Sequence, residues 1–286
     1  MNYANIAWEN RVTRVPPTEK LLKTSIYHIK QMVTAELERE FEPTKQSVQR
    51  LANLFAPIRT LIEQDQHAVT ALDEIRKLAK QKQQQRIEDL TRTVPQPLNF
   101  SFTANPGFDI IVPPYDVEWS TGALSKADKA SGKFGIQILS EGFNAAGVGV
   151  FLSSSVKSLV RFSPMVPFDY SWTNSPLLGP VSSQGSIGVV AFYNEKPQPF
   201  LDRRAVVWND TREFLGWPTL GAFDSGSSFF AQTLGDVLIL MEPGNTYLVW
   251  IWCWGFCHLH QSAAFADISC TAPFIVVDSG PAPIIA

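Results

Sequence analysis

Glycine is absent from the first 106 residues; all 17 glycines of the chain follow, beginning at Gly107. Aromatic residues share the skew. Residues 1–95 hold five (Tyr3, Trp8, Tyr27, Phe41 and Phe55), and 28 come later. Cysteine is scarce as well: Cys253, Cys257 and Cys270 are the only three. An odd, clustered set is not a disulfide framework, and a reducing compartment is the simpler reading. Neither sign of charge dominates, with a net −3 overall, made of +3 over residues 1–95 and −6 beyond. Such a mild balance argues against nucleic acid as a partner. The longest apolar run, around residues 247–257, falls well short of the roughly 20 residues needed to cross a bilayer. The N-terminus has no basic stretch followed by an apolar one, so a signal peptide is not expected. That implies synthesis in the cytoplasm, followed by incorporation into a particle or release by a non-classical route. Without secretion, the acceptor patterns at Asn99 and Asn209 read as chance matches.

Motifs of familiar chemistry are missing too. There is no Gly-x-Ser-x-Gly and no glycine-rich phosphate loop, and Gly147-Val-Gly149 runs into a strand pattern rather than a helix. No repeat of 20–50 residues is visible. No cofactor is expected.

What is present divides the chain in two. A 45% apolar and 18% charged composition is that of a globular protein, and 286 residues suffice for two domains. Gln, Lys, Glu, Leu and Ala dominate the first third; Gly, Ser, Phe, Val and Pro dominate the rest. Pro95-Gln-Pro97 is the natural linker, because neither proline continues a helix. Residues 1–17 read as an extended arm ending at Pro16-Pro17. Thr18 offers an N-cap with Glu19 in the first turn. Leu22, Ile26, Ile29, Val33 and Leu37 then recur at helical spacing, and Pro43 predicts a stop near Phe41.

A second helix is expected from Thr44. Val48, Leu51, Phe55, Ile58, Ile62, Val69 and Leu72 fall on a near-heptad seam, with Leu61 and Ile75 on a flanking row. That stripe is wider than a two-stranded coiled coil needs, so it calls for more than one neighbour. Pro57 predicts a kink, and residues 77–86 read as a basic, solvated helix end. Residues 18–94 are thus expected to be a helical hairpin or coiled-coil-like segment, with homo-oligomer formation as its consequence.

Residues 98–286 carry short strand-like runs between turn signals, the pattern of an antiparallel, jelly-roll-like β-sandwich. The predicted fold class is therefore α+β, long N-terminal helices followed by that sandwich. Its central run is 247–254, preceded by Pro243-Gly244-Asn245 turn chemistry and by residues 237–241, which together suggest a β-hairpin. Alternation puts Tyr247, Val249, Ile251 and Cys253 on one face, and Leu248, Trp250, Trp252 and Trp254 on the other. Two apolar faces require cover on both sides; the N-terminal helices are the candidate cover for the tryptophan row.

Candidate sites are few. Cys253, Cys257, His258, His260 and Cys270 are the only metal-ligand candidates, and buried thiols acting as small hydrophobes explain them more simply. Asp116, Glu118, Asp169, Asp202, Asp210, Glu213, Asp224, Asp236 and Asp267 are scattered, with no pairing that defines a hydrolase. Tyr115, Trp119, Tyr170, Trp172, Phe214 and Trp217 read as loop aromatics able to stack on a ligand. The expected function is non-enzymatic assembly and recognition: oligomerisation through the helices, and a sandwich head that binds a protein or glycan receptor, as in a capsid, phage or injection-particle component or a lectin-like binder. A pore-forming toxin is the alternative and alone would bring a membrane partner. A hydrolase on a sandwich scaffold comes third.

Overall fold

The computed structural model describes residues 12–36, 108–139, 141–175, 181–194, 198–212, 222–235, 237–259 and 263–281, together with Lys196 and scattered positions from 38 to 81. Strands account for 63% of them. The chain opens with β1 (Val12–Arg14) and α1 (Glu19–Glu36). Then come β2 (Phe108–Ile111), β3 (Val117–Ser120), β4 (Ser125–Asp128), β5 (Lys133–Ile138) and β6 (Gly142–Ser154). Next are β7 (Ser158–Met165), β8 (Pro167–Ser175), β9 (Val181–Tyr193) and β10 (Leu201–Arg212). A third group holds β11 (Ala222–Phe229), the five-residue helix α2 (Phe230–Leu234), β12 (Val237–Met241) and β13 (Thr246–Leu259). The last two strands are β14 (Ala263–Thr271) and β15 (Phe274–Pro281).

These strands build three antiparallel sheets. The largest has the order β1-β6-β13-β9-β10, with β3 also pairing β6. The second runs β11-β8-β14-β5-β4 and the third β12-β7-β15-β2. Val166 alone separates β7 from β8, and only Ala272 and Pro273 separate β14 from β15. The two smaller sheets are thus joined by two strand pairs, and both face the large sheet across one core. Val150, Ile251, Cys253 and Val189 meet Phe162, Ile239, Ile268 and Val277 there.

β13 is the axis, as its sequence requires. It pairs β6 on one side and β9 on the other over nearly its whole length. Its odd-numbered residues enter the inter-sheet core. Leu248, Trp250, Trp252, Trp254 and Phe256 point the opposite way, and all are buried. A row of indoles needs room between strands. The partners of Trp252 in register are Gly147 and Gly188. A Cβ on Gly188 would lie 2.7 Å from Trp252 Nε1.

α1 covers this face. Leu21, Ser25, Ile29 and Val33 form its buried line, flanked by Leu22, Ile26 and Met32. Trp250 Nε1 donates to Ser25 Oγ at 3.2 Å, and Ser25 Oγ donates to Leu22 O at 2.8 Å. The apolar spacing 22/26/29/33 is therefore rotated slightly from the true contact line. A serine sits where the helix meets the indole, because only a small hydroxyl both fits and accepts the N–H. At the helix start Leu22 N donates to Thr18 O, and Glu19 pairs with Lys23 at 2.6 Å on the solvent side. β1 is tied in by Asp116. Its carboxylate accepts Arg14 Nε at 2.8 Å, Arg14 Nη2 at 2.6 Å and Phe151 N at 2.7 Å.

Two expectations need correction. The long N-terminal helical hairpin or coiled coil is not found: the two helices with described bounds, α1 and α2, are short, and between residues 46 and 81 the described positions, Gln46, Arg50 and Asn53 among them, are isolated helical ones. The sandwich expectation fits the sheets. The physical reason lies in α1, whose apolar face closes over the tryptophan row of its own sheet. The seam residues Val48, Leu51, Phe55, Ile58, Leu61, Ile62, Val69, Leu72 and Ile75 lie outside the described residues, as does the stretch 95–97. The second correction concerns residues 237–254. β12 and β13 are not a hairpin; β12 pairs β7 in one sheet while β13 centres another. The Pro243-Gly244 turn carries the chain between layers, with Tyr247 Oη accepting Glu242 N at 2.7 Å.

Candidate functional site: a cleft at the rim of the large sheet

The four described loop aromatics, Tyr115, Trp119, Tyr170 and Trp172, lie on separate elements or in the core. Tyr115 is buried and donates from Oη to Ala272 O at 3.0 Å; burial pushes its pKa well above the ordinary value. Trp119 lies on β3, beside the α1-covered cluster. Tyr170 and Trp172 lie on β8 rather than in loops. Tyr170 stacks on Trp208 at 6.0 Å, and burial and nearby Asp224 raise its pKa. Trp172 is 8% exposed, so it cannot serve as a platform. Phe214 and Trp217 lie outside the described residues.

The thiols and imidazoles separate as strand alternation dictates. β13 continues through Gly255, so Cys253 and Cys257 stay in the inter-sheet core with Cys270. All three are free. Burial raises the pKa of Cys257 and of Cys270, the latter also in hydrogen-bond contact with Cys253. His258 faces the other way, 3.5 Å from Glu141, and His260 lies outside the described residues. Among the described residues no group of three His, Cys, Asp or Glu side chains could hold a metal ion. Several carboxylates have partners of their own: Asp169 accepts from Ser227, Asp267 from Ser171, Asp202 from Arg204 and Asp210 from Arg212. No described helix is long and apolar enough to cross a membrane, which says nothing of a β-barrel.

A different set of residues does converge. In register across the large sheet, Trp254 stands opposite Ser186 and Ser186 opposite Val206. One step toward the chain terminus of β13, Gln184 lies between Phe256 and Asn209. One step the other way, Gly188 lies between Trp252 and Arg204. The bulge between Val206 and Trp208 matters here. It turns Trp208 into the core over Gly185, where a Cβ would overlap the indole, and it turns Asn209 outward. The result is an open cleft of about 520 Å³ lined by Arg39, Gln184, Ser186, Asp202, Arg204, Val206, Asn209 and Trp254. That volume is within the range of small-ligand sites, about 300–1,000 Å³.

The chemistry of the cleft is mixed. Arg204 lies 5.7 Å over the Trp252 ring and grips Asp202 as a fork, Nε to Oδ1 at 2.8 Å and Nη2 to Oδ2 at 2.5 Å. Both remain part-exposed, at 25% and 31%. Ser186 and Trp254, at 1% and 2% exposure, form the floor together with Gln184. Ser186 Oγ and Trp254 Nε1 have no hydrogen-bond partner. Buried polar atoms are normally paired, and leaving one unpaired costs about 1–3 kcal/mol. Both atoms lie closed off from solvent beneath the cleft surface, and Trp172 Nε1 and Trp252 Nε1 are unpaired in the same way elsewhere, so the polar groups that a ligand in the cleft would meet are those of its rim.

Sequence reasoning missed this constellation. Asp202 stood among the scattered carboxylates, Asn209 in an acceptor pattern, and Trp254 in a row judged to be covered. The usable signal was the polar stretch Ser182-Ser-Gln-Gly-Ser186, unusual for a strand beside the centre of a sheet.

No protein family and no curated protein matches the chain. Among solved structures, the carbohydrate-binding module TmCBM61 in complex with beta-1,4-galactotriose is similar at 7% identity, over 55% of this chain and 87% of that chain, with a TM-score of 0.13. A likeness at that level carries no argument.

Proposed function

We propose that the chain is a non-enzymatic recognition protein whose β-sandwich binds a glycan in the cleft between β9, β10 and β13. The observation that supports this most is the open cleft itself, whose rim carries the charged and amide side chains of Arg39, Asp202, Arg204 and Asn209 beside the exposed Val206. A catalytic role would need an activated nucleophile or facing carboxylates; the cleft lining supplies one carboxylate, already held by a guanidinium. Self-association through the apolar row at residues 48–75 belongs to the same proposal on sequence pattern alone, and light scattering at two concentrations tests it.

The test of recognition is an array of immobilised glycans and peptides probed with the whole chain and with Val206→Trp. Val206 is 57% exposed at the cleft rim, so an indole there fills the opening without touching the core. Glycan signal that the variant loses supports the reading. Signal equal in both proteins, or none on any glycan, refutes it.

A further inference from the structure

We infer that β12 is a docking edge for a second copy of the same chain, joined strand to strand so that the β12-β7-β15-β2 sheet continues across a two-fold axis. This surface is separate from the cleft and from residues 48–75. β12 ends its sheet: it pairs β7 on one side, and among the described residues no strand pairs the other. No hydrogen bond outside the β7 ladder reaches Val237–Met241 from the described residues. A row of unpaired N–H and C=O groups on such an edge is a template for another strand, and proteins guard against it with charge, proline, bulges or very short strands. The other edges carry that protection, with Arg14 on β1, Asp109 on β2, Glu118 on β3, Lys126 on β4, Asp202 on β10 and Asp224 on β11. β12 reads Val-Leu-Ile-Leu-Met, with no charge, proline, glycine or register shift. Its outward side chains, Leu238 and Leu240, are 55% and 46% exposed, and Leu159 stands beside Leu240 on β7.

Symmetry selects the occupant. Antiparallel pairing about Ile239 sets Leu238 of each copy opposite Leu240 of the other, so one contact is made twice over. The four leucines then cover one another on the outer face, while Val237, Ile239 and Met241 keep their places in the inter-sheet core. A charged segment of another protein would gain no ion pair from this strand, and Glu242 at its end is already held by Lys157 at 2.8 Å. Five residues a side is far fewer than the roughly 20–30 of a standard interface. The dimer is therefore weak, and it fills at high concentration or where copies are already held close together.

The test is analytical ultracentrifugation of the whole chain from about 5 to about 500 µM, the range in which so small an interface fills, on the wild type and on Leu238→Lys/Leu240→Lys. The expected result is a dimer that grows with concentration in the wild type and loses tenfold or more in association constant with the lysines, which bring like charges face to face across the axis. A second measurement reads the register, and decides the matter should the lysine pair unfold the chain. Leu238→Cys is mixed with Leu240→Cys under mild oxidation by diamide; Cys253, Cys257 and Cys270 are buried and do not compete. The pairing predicts a cross-linked dimer of the two different variants, and at least tenfold less from either variant alone. A wild type that stays monomeric throughout the range overturns the inference. A dimer that the lysines leave intact is held by another surface, and overturns it too, as does cross-linking that is indifferent to which two positions are mixed.

Discussion

Replacing Ser25 by Ala removes one oxygen, yet its effect should be large for so small a change. Ser25 Oγ and Trp250 are both 0% exposed, and their 3.2 Å hydrogen bond joins α1 to the outer face of the large sheet. Ser25→Ala leaves the indole N–H buried with no acceptor, a loss of about 1–3 kcal/mol. The intrinsic preference of alanine for helix offsets that by roughly 0.5 kcal/mol, so the net expectation is about 1–2 kcal/mol of destabilisation. In a Trp250→Phe background the N–H is already gone. There the same Ser25→Ala change should be neutral or stabilising by a few tenths of a kcal/mol, the propensity term alone. Urea unfolding followed by tryptophan fluorescence and circular dichroism reads both, with the slope against urea unchanged if only native-state stability has moved. The double-mutant cycle should give a coupling of about 1 kcal/mol or more. An equal effect of Ser25→Ala in both backgrounds would refute the idea that this bond fastens the helix over the tryptophan row.

Gly185→Ala forces a Cβ into the Trp208 indole, and should cost about 1–3 kcal/mol as overpacking, read as a lower thermal midpoint together with an altered near-ultraviolet aromatic signal. Asp116→Ala should cost about 2–3 kcal/mol, since it takes the acceptor from Phe151 N and from Arg14 at once; Asp116→Asn should recover part of that, and full recovery would argue against a role for the charge. Burial raises the Tyr115 pKa above its ordinary 10.0, so above about pH 10 the unfolded chain ionises first and stability falls as pH rises. Tyr115→Phe should flatten that alkaline limb in chemical unfolding between pH 9 and 11, at the cost of the hydrogen bond to Ala272 O; a limb of unchanged slope would count against the argument.

Alternating and apolar runs were read well where a strand lies deep in a sheet. β12 matched residues 237–241, and β13 extended the 247–254 run without changing which residue faces where. Local chemistry could not say which strands pair. Pro243-Gly244-Asn245 is a turn in either topology, and nothing near it states that the chain changes layer. β3 and β4 are short strands with no apolar period, so their sequences carry no strand signal. Pro164 and Pro167 read as punctuation in the sequence, yet they sit within β7 and at the start of β8. α1 was legible as a helix, but its phase was not, since a buried serine is defined only by the indole that it meets. The cleft was beyond reach for a similar reason. Gln184, Ser186, Arg204 and Trp254 are distant in sequence, and only the register of three strands, with one bulge, brings them to a common surface.

The most direct measurement is a crystal structure of the whole chain grown with the glycan that gives the strongest array signal. The account predicts saccharide density in the cleft, with sugar hydroxyls within hydrogen-bond distance of the rim side chains Asp202, Arg204 and Asn209. Saccharide bound at any other surface, with the cleft holding only solvent, would contradict it.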